Sequence, residues 1–79
     1  MSIAEQILAG VGGPANVAEF TRCWARLRFV VVEPDQVDEA GIQALPEVAI
    51  ALTQHGQFQV ALRSGLIEVH DEIVALLAR

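Results

Sequence analysis

Arg26-Leu-Arg-Phe-Val-Val31 alternates in polarity, with Leu27, Phe29 and Val31 on one side and Arg26, Arg28 and Val30 on the other. A two-residue period of this kind belongs to a strand with one buried face. Working outward, Asn16–Ala25 reads as a preceding strand of mixed pattern, with Val17 and Phe20 as core contacts. Further along, Val48, Ile50 and Leu52 form a third alternating run. Phe58, Val60 and Leu62 alternate with Gln57, Gln59 and Ala61 in a fourth. His55-Gly56 between these two is a hairpin turn. Short links within each pair of strands imply antiparallel pairing.

Helices fill the intervals. Ser2 and Glu5 form an S-x-x-E capping box ahead of Ile3, Ala4, Ile7, Leu8 and Val11, which follow helical spacing. Gly12-Gly13-Pro14 ends that helix. Val37, Ala40, Ala44 and Leu45 suggest a short second helix, with Ile42 beside the stripe, Asp35 or Asp38 as cap and Pro46 as stop. Ser64-Gly65 opens a last helix whose stripe is Leu66, Val69, His70, Ile73, Val74 and Leu77. The order is α-β-β-α-β-β-α. It predicts an α+β two-layer sandwich in which three helices cover one face of a four-stranded antiparallel sheet. The other face carries Arg26, Arg28, Gln57 and Gln59 and is polar. Residues 1–79 read as a single domain, without repeat or linker.

Composition narrows the function. The chain has 79 residues, 53% apolar and 19% charged, with ten acids against five basic residues and a net charge of −5. That balance argues against nucleic-acid binding and against attraction to an anionic membrane. No apolar run is long enough to insert into a bilayer. The first residues, MSIAEQILAG, lack the basic start of a signal peptide. A single cysteine excludes an internal disulfide framework and fits a reducing, cytoplasmic setting.

The positive charge is concentrated. All five basic residues are arginines, and Arg22, Arg26 and Arg28 surround the one cysteine, Cys23, with no acid between Glu19 and Glu33. A thiol reacts as its thiolate, and nearby arginines favour that form. Guanidinium groups also grip phosphate oxygens in forked pairs. Cys23 with Arg26 and Arg28 is therefore suited to carry a phosphoryl group, the sulfur attacking phosphorus while the arginines hold the oxygens. No Walker loop and no metal-binding motif is present, so the reading calls for no cofactor or metal, and for another protein as phosphoryl donor. The residues alone leave a plainer alternative open, in which Cys23 is a small buried hydrophobe and the arginines are a solvated strand face. Trp24 reads equally as a docking aromatic or as a half-exposed strand residue. His55 reads as a turn residue and His70 as structural.

The sequence resembles the B domain of the glucose/sucrose-type enzyme II of the bacterial phosphoenolpyruvate-dependent sugar phosphotransferase system. Cys23-Trp-Ala-Arg-Leu-Arg28 is similar to the family pattern C-x-T-R-L-R. Ile7-Leu8, Val11-Gly-Gly13 and Asn16-Val17 resemble its I-L…G-G-x-x-N-I segment. Pro34-Asp35 with Val37-Asp38-Glu39, and Gly56-Gln-Phe-Gln-Val60, resemble two further segments. These matches keep their order from about Ile3 to Leu77. The resemblance implies the same fold. It also implies that Cys23 takes a phosphoryl group from a histidine of an EIIA domain and passes it to a sugar held by the EIIC membrane domain, with Arg26 and Arg28 binding the phosphoryl oxygens. The setting so implied is the cytoplasm, at the inner face of the membrane when docked to EIIC. The sequence departs from the pattern at Ala25, where the family has threonine, and at Arg63, where it usually has glycine. A non-catalytic relative that acts by docking is the alternative that these departures raise.

Overall fold

The structure is a computed structural model describing residues 1–79. Its elements are α1 (Ile3–Gly10), β1 (Val17–Arg22), β2 (Arg26–Val31), α2 (Glu39–Gln43), β3 (Val48–Gln54), β4 (Gln57–Leu62) and α3 (Leu66–Leu77). The four strands form one antiparallel sheet in the order β1-β2-β4-β3. The two hairpins thus meet along β2 and β4, leaving β1 and β3 at the edges. The expected α+β sandwich is present.

The sheet face that the helices cover carries the core. Leu27, Phe29, Phe58 and Val60 project from the two central strands and are fully buried or nearly so. They meet Ala4, Ile7, Leu8 and Val11 from the α1 side, Ile42 from α2, and Val69 and Ile73 from α3. Phe20, Phe29 and Phe58 stand opposite one another across β1, β2 and β4, with ring centroids 4.8 and 6.4 Å apart. His70 stacks on Phe20 at 5.2 Å, so its ring is packing material, as its place on the apolar stripe suggests.

Local chemistry explains most element ends. Ser2 and Glu5 make the reciprocal capping box at α1. Gly12 and Gly13 have φ of 104° and 84°, a region that side chains rarely enter, and turn the chain away from the helix. Asp38, not Asp35, caps α2 by accepting from the Gly41 N–H. Asn16, buried at 3% exposure, donates to the Val11 and Glu33 carbonyls and accepts from the Glu33 N–H. It thereby ties the end of α1 to the segment that leaves β2.

Several expectations change. Strand β1 runs only from Val17 to Arg22; Asn16 lies in a 3-10 turn and Cys23–Ala25 in the connection to β2. A register shift between Val17 and Glu19 explains the mixed pattern, because one extra residue reverses the inward-outward parity. The same happens in β3 between Val48 and Ile50. Val48 and Ala51 therefore face the core, while Ile50 and Leu52 lie on the uncovered face, against the simple alternation. In α2, Ile42 is the core residue and Ala40 and Ala44 are exposed. In α3, Val74 turns outward. Gln59 does lie on the uncovered face but is 2% exposed, and Arg26 and Arg28 are half-buried rather than free in solvent.

Candidate functional site

The link between β1 and β2 forms the site. Arg22 pairs with Leu27 and Thr21 with Arg28, so Cys23, Trp24, Ala25 and Arg26 make the end of the hairpin. The Cys23 N–H donates to the Arg26 carbonyl at 3.0 Å. Alternation carries the side of Thr21 and Arg28 outward to Cys23 and Arg26. Arg26 and Arg28 share the uncovered face of the sheet, and Cys23 follows β1 directly at the same end of the hairpin.

Cys23 is a free, half-buried thiol. Its pKa is lowered, first by the backbone N–H of Ala25, against a smaller opposing effect of burial. The backbone N–H of Arg26, the Arg28 side chain and the Arg28 charge lower it further. These are donors that favour an anion over a neutral thiol. The departure at Ala25 removes a hydroxyl, yet the Ala25 main chain is the largest stabiliser of the thiolate.

The arginines are held differently. Arg26 Nη1 donates to Gln59 Oε1 at 3.2 Å and to Gln54 Oε1 at 3.3 Å. Arg28 acts on the thiol's pKa through its side chain and its charge, and its Nε is buried without a hydrogen-bond partner. Arg22 reaches the Cys23 carbonyl at 3.5 Å. None of these three guanidinium groups pairs with a carboxylate; the one ion pair in the chain joins His70 and Asp71. In a protein of net charge −5, this corner keeps uncompensated positive charge. Such a corner suits a multiply charged oxyanion. No group of three or more His, Cys, Asp or Glu side chains gathers to hold a metal ion.

The surroundings place the remaining candidates. Trp24 is 94% exposed at the hairpin end, not on a strand. It lines a shallow groove with Arg22, Leu66, Ile67 and Glu68, so the first turn of α3 borders the thiol's hairpin. Arg63 donates through Nε to the Pro46 carbonyl at 3.0 Å and through its main chain to Glu47. It fastens the end of β4 to the turn before β3. His55 sits in the other hairpin turn with φ of 54°. Sequence reasoning singled out Cys23, Arg26 and Arg28, which the fold gathers at one hairpin, but gave no sign of the Ala25 N–H or the enclosure of Gln59. Side-chain periodicity carries no signal for a main-chain donor. It assigns Gln59 a face without saying what surrounds it.

The family described as phosphotransferase system, EIIB, matches residues 5–38, which include Cys23, Arg26 and Arg28. The trehalose-specific EIIBC component of Bacillus subtilis (strain 168) is 36% identical over 90% of this chain, covering 15% of that protein. The arbutin-, cellobiose- and salicin-specific EIIBC component of Escherichia coli (strain K12) is 29% identical over 96% of this chain and 16% of its own length. The chain thus spans about a sixth of the length of these relatives. A crystal structure of one domain of the PTS system IIabc component from Clostridium difficile superimposes with a TM-score of 0.77 at 25% identity, covering 92% of this chain and 76% of the other. These similarities converge on one family: residues 5–38 match the phosphotransferase system EIIB family, and the chain is similar over nine-tenths or more of its length to part of sugar-specific EIIBC components.

Proposed function

We propose that the chain is a phosphocarrier, a single EIIB domain spanning residues 1–79, and that Cys23 carries the phosphoryl group. In the first step the Cys23 thiolate attacks the phosphorus of a phosphohistidine on an EIIA protein. The P–N bond breaks, the S–P bond forms, and the imidazole leaves and takes up a proton. In the second step a hydroxyl of a sugar held by an EIIC membrane domain attacks the same phosphorus. The S–P bond breaks, the hydroxyl proton passes to solvent or a base on EIIC, and the thiolate is restored. No helix of this chain is long and apolar enough to cross a membrane. Its place in this scheme is the cytoplasm, beside the membrane when it meets EIIC.

The observation that carries the reading is the lowered thiol pKa of Cys23 within a corner of unpaired arginines. Arg28 and the Ala25 and Arg26 N–H groups favour the anionic form of the sulfur before transfer. After transfer the same donors, with Arg26, face the phosphoryl oxygens as charge spreads over them. The nucleophile is activated without a base, because it is already ionised to a greater extent than an ordinary cysteine.

The test is incubation with an EIIA protein phosphorylated with labelled phosphate. A carrier acquires a thiol-linked label that survives alkali and is discharged when EIIC and its sugar are added. A protein that only docks acquires no label, and that result would remove the proposal.

A further inference from the structure

We infer that Gln59, assisted by Gln54, is a positioning residue that holds the Arg26 guanidinium ready for the phosphoryl group; this rests on the carrier reading above. Gln59 is the least expected buried side chain in the molecule. It lies on the face that no helix covers, yet it is only 2% exposed. Its amide is fully engaged. Oε1 accepts from Arg26 Nη1 at 3.2 Å, while Nε2 donates to the Gln54 carbonyl and to Gln57 Oε1, both at 3.4 Å. Gln54 Oε1 takes a second contact from the same Arg26 nitrogen at 3.3 Å.

The register explains the reach. Gln59 stands opposite Arg28 on β2 and Leu52 on β3, so Arg26 is its diagonal neighbour, within range of two long side chains. Arg26 begins β2 directly after the hairpin connection, where a long side chain would otherwise sample many rotamers. Both amides grip one terminal nitrogen and leave Nε and Nη2, three of the five N–H donors, for an incoming anion. The chemistry of the grip matters too. An amide oxygen orients a guanidinium without cancelling its charge, whereas a carboxylate here would pair with Arg26 and compete with a phosphoryl group. Arg28, by contrast, makes no hydrogen bond to either glutamine.

The experiment measures transfer from phosphorylated EIIA to the full chain with Gln59→Met and with Gln54→Ala, each alone and combined with Arg26→Ala. Gln54 is exposed, so its substitution keeps the test available even if Gln59→Met folds poorly. The expected result is a maximal rate about tenfold lower for Gln59→Met and a smaller loss for Gln54→Ala. The EIIA concentration at half-maximal rate stays unchanged, and neither change has any further effect in the Arg26→Ala background. Alkylation of Cys23 keeps its pH dependence, because Gln59 does not touch the sulfur. Wild-type rates in both variants, or equal losses with and without Arg26, would overturn the inference. Failure of the unaltered chain to accept phosphate would instead overturn the carrier reading.

Discussion

The two hairpins of the sheet solve the same connection problem with opposite results. Between β3 and β4, Gln54 pairs directly with Gln57, and His55 and Gly56 both take positive φ, 54° and 75°. This is the tight two-residue turn whose twist matches the strands. Between β1 and β2, the chain takes a wider path through Cys23, Trp24 and Ala25, and the main-chain N–H groups of Ala25 and Arg26 lower the pKa of the thiol. The tight turn uses its geometry to close the ladder. The wide one leaves donors over, and arginines from β2 add charge to them. In a domain this small, one hairpin end closes the ladder and the other carries the thiol beside its arginines.

Exchanging the nucleophile gives the largest effect that this contrast predicts. Cys23→Ser should reduce phosphoryl transfer to background while leaving the melting temperature near that of the parent, since serine is nearly isosteric but far less acidic. Transfer at an unchanged rate would show that the hairpin thiol is not the carrier.

Next come the arginines. Arg26→Ala and Arg28→Ala should each remove a charge-assisted contact of about 1.5–3 kcal/mol, roughly ten- to a hundredfold in rate. Lysine at either position should restore only part, because an ammonium cannot make the planar two-point contact. A large fall in melting temperature with undiminished transfer would mean that both side chains serve the fold.

The pH dependence separates the two arginines. Iodoacetamide should alkylate Cys23 with a midpoint below that of an ordinary thiol. Arg28→Ala should raise that midpoint only in part, since the Ala25 N–H is the larger influence, and Arg26→Ala should move it less. The folded state stabilises the thiolate, so the associated folding stability is fully present above the unfolded thiol's pKa. It is lost as the pH falls through the lowered folded value. An alkylation midpoint at or above that of an unfolded control would contradict the assignment of donors around the sulfur.

The smallest effects belong to the other hairpin. Gly56→Ala should cost about 1 kcal/mol of stability, because alanine resists the positive φ found there. His55→Asn should be neutral or stabilise by a few tenths of a kcal/mol, asparagine being the better residue for this turn. Thermal unfolding reads both, and transfer should be unchanged. A loss of transfer without a loss of stability would show that the two hairpin ends are coupled.

The physics of each element decides how much of it the sequence displays. Strand β2 was legible because Leu27 and Phe29 are buried while Arg26 and Arg28 are not, an undisturbed period of two. Strands β1 and β3 were less so, because an extra residue in each reverses parity in mid-strand. Nothing in the amino-acid order of Val48-Ala-Ile-Ala51 announces such a bulge. The capping box at Ser2 and Glu5 was plain because it depends on local spacing alone. The candidate site divides in the same way. Cys23 and its arginines stand out by charge density. The Ala25 N–H is invisible because every residue but proline has one, and the enclosure of Gln59 depends on the Arg26 side chain and the Gln54 carbonyl, from two other places in the chain.

The most direct measurement is to locate the phosphoryl group. Intact-mass analysis after mixing with phosphorylated EIIA, followed by peptide mapping under conditions that preserve thiophosphate esters, reads both its number and its position. The account predicts one phosphoryl group per chain, on the peptide that contains Cys23. Phosphate found instead on His55 or His70, or on no residue at all, would contradict it.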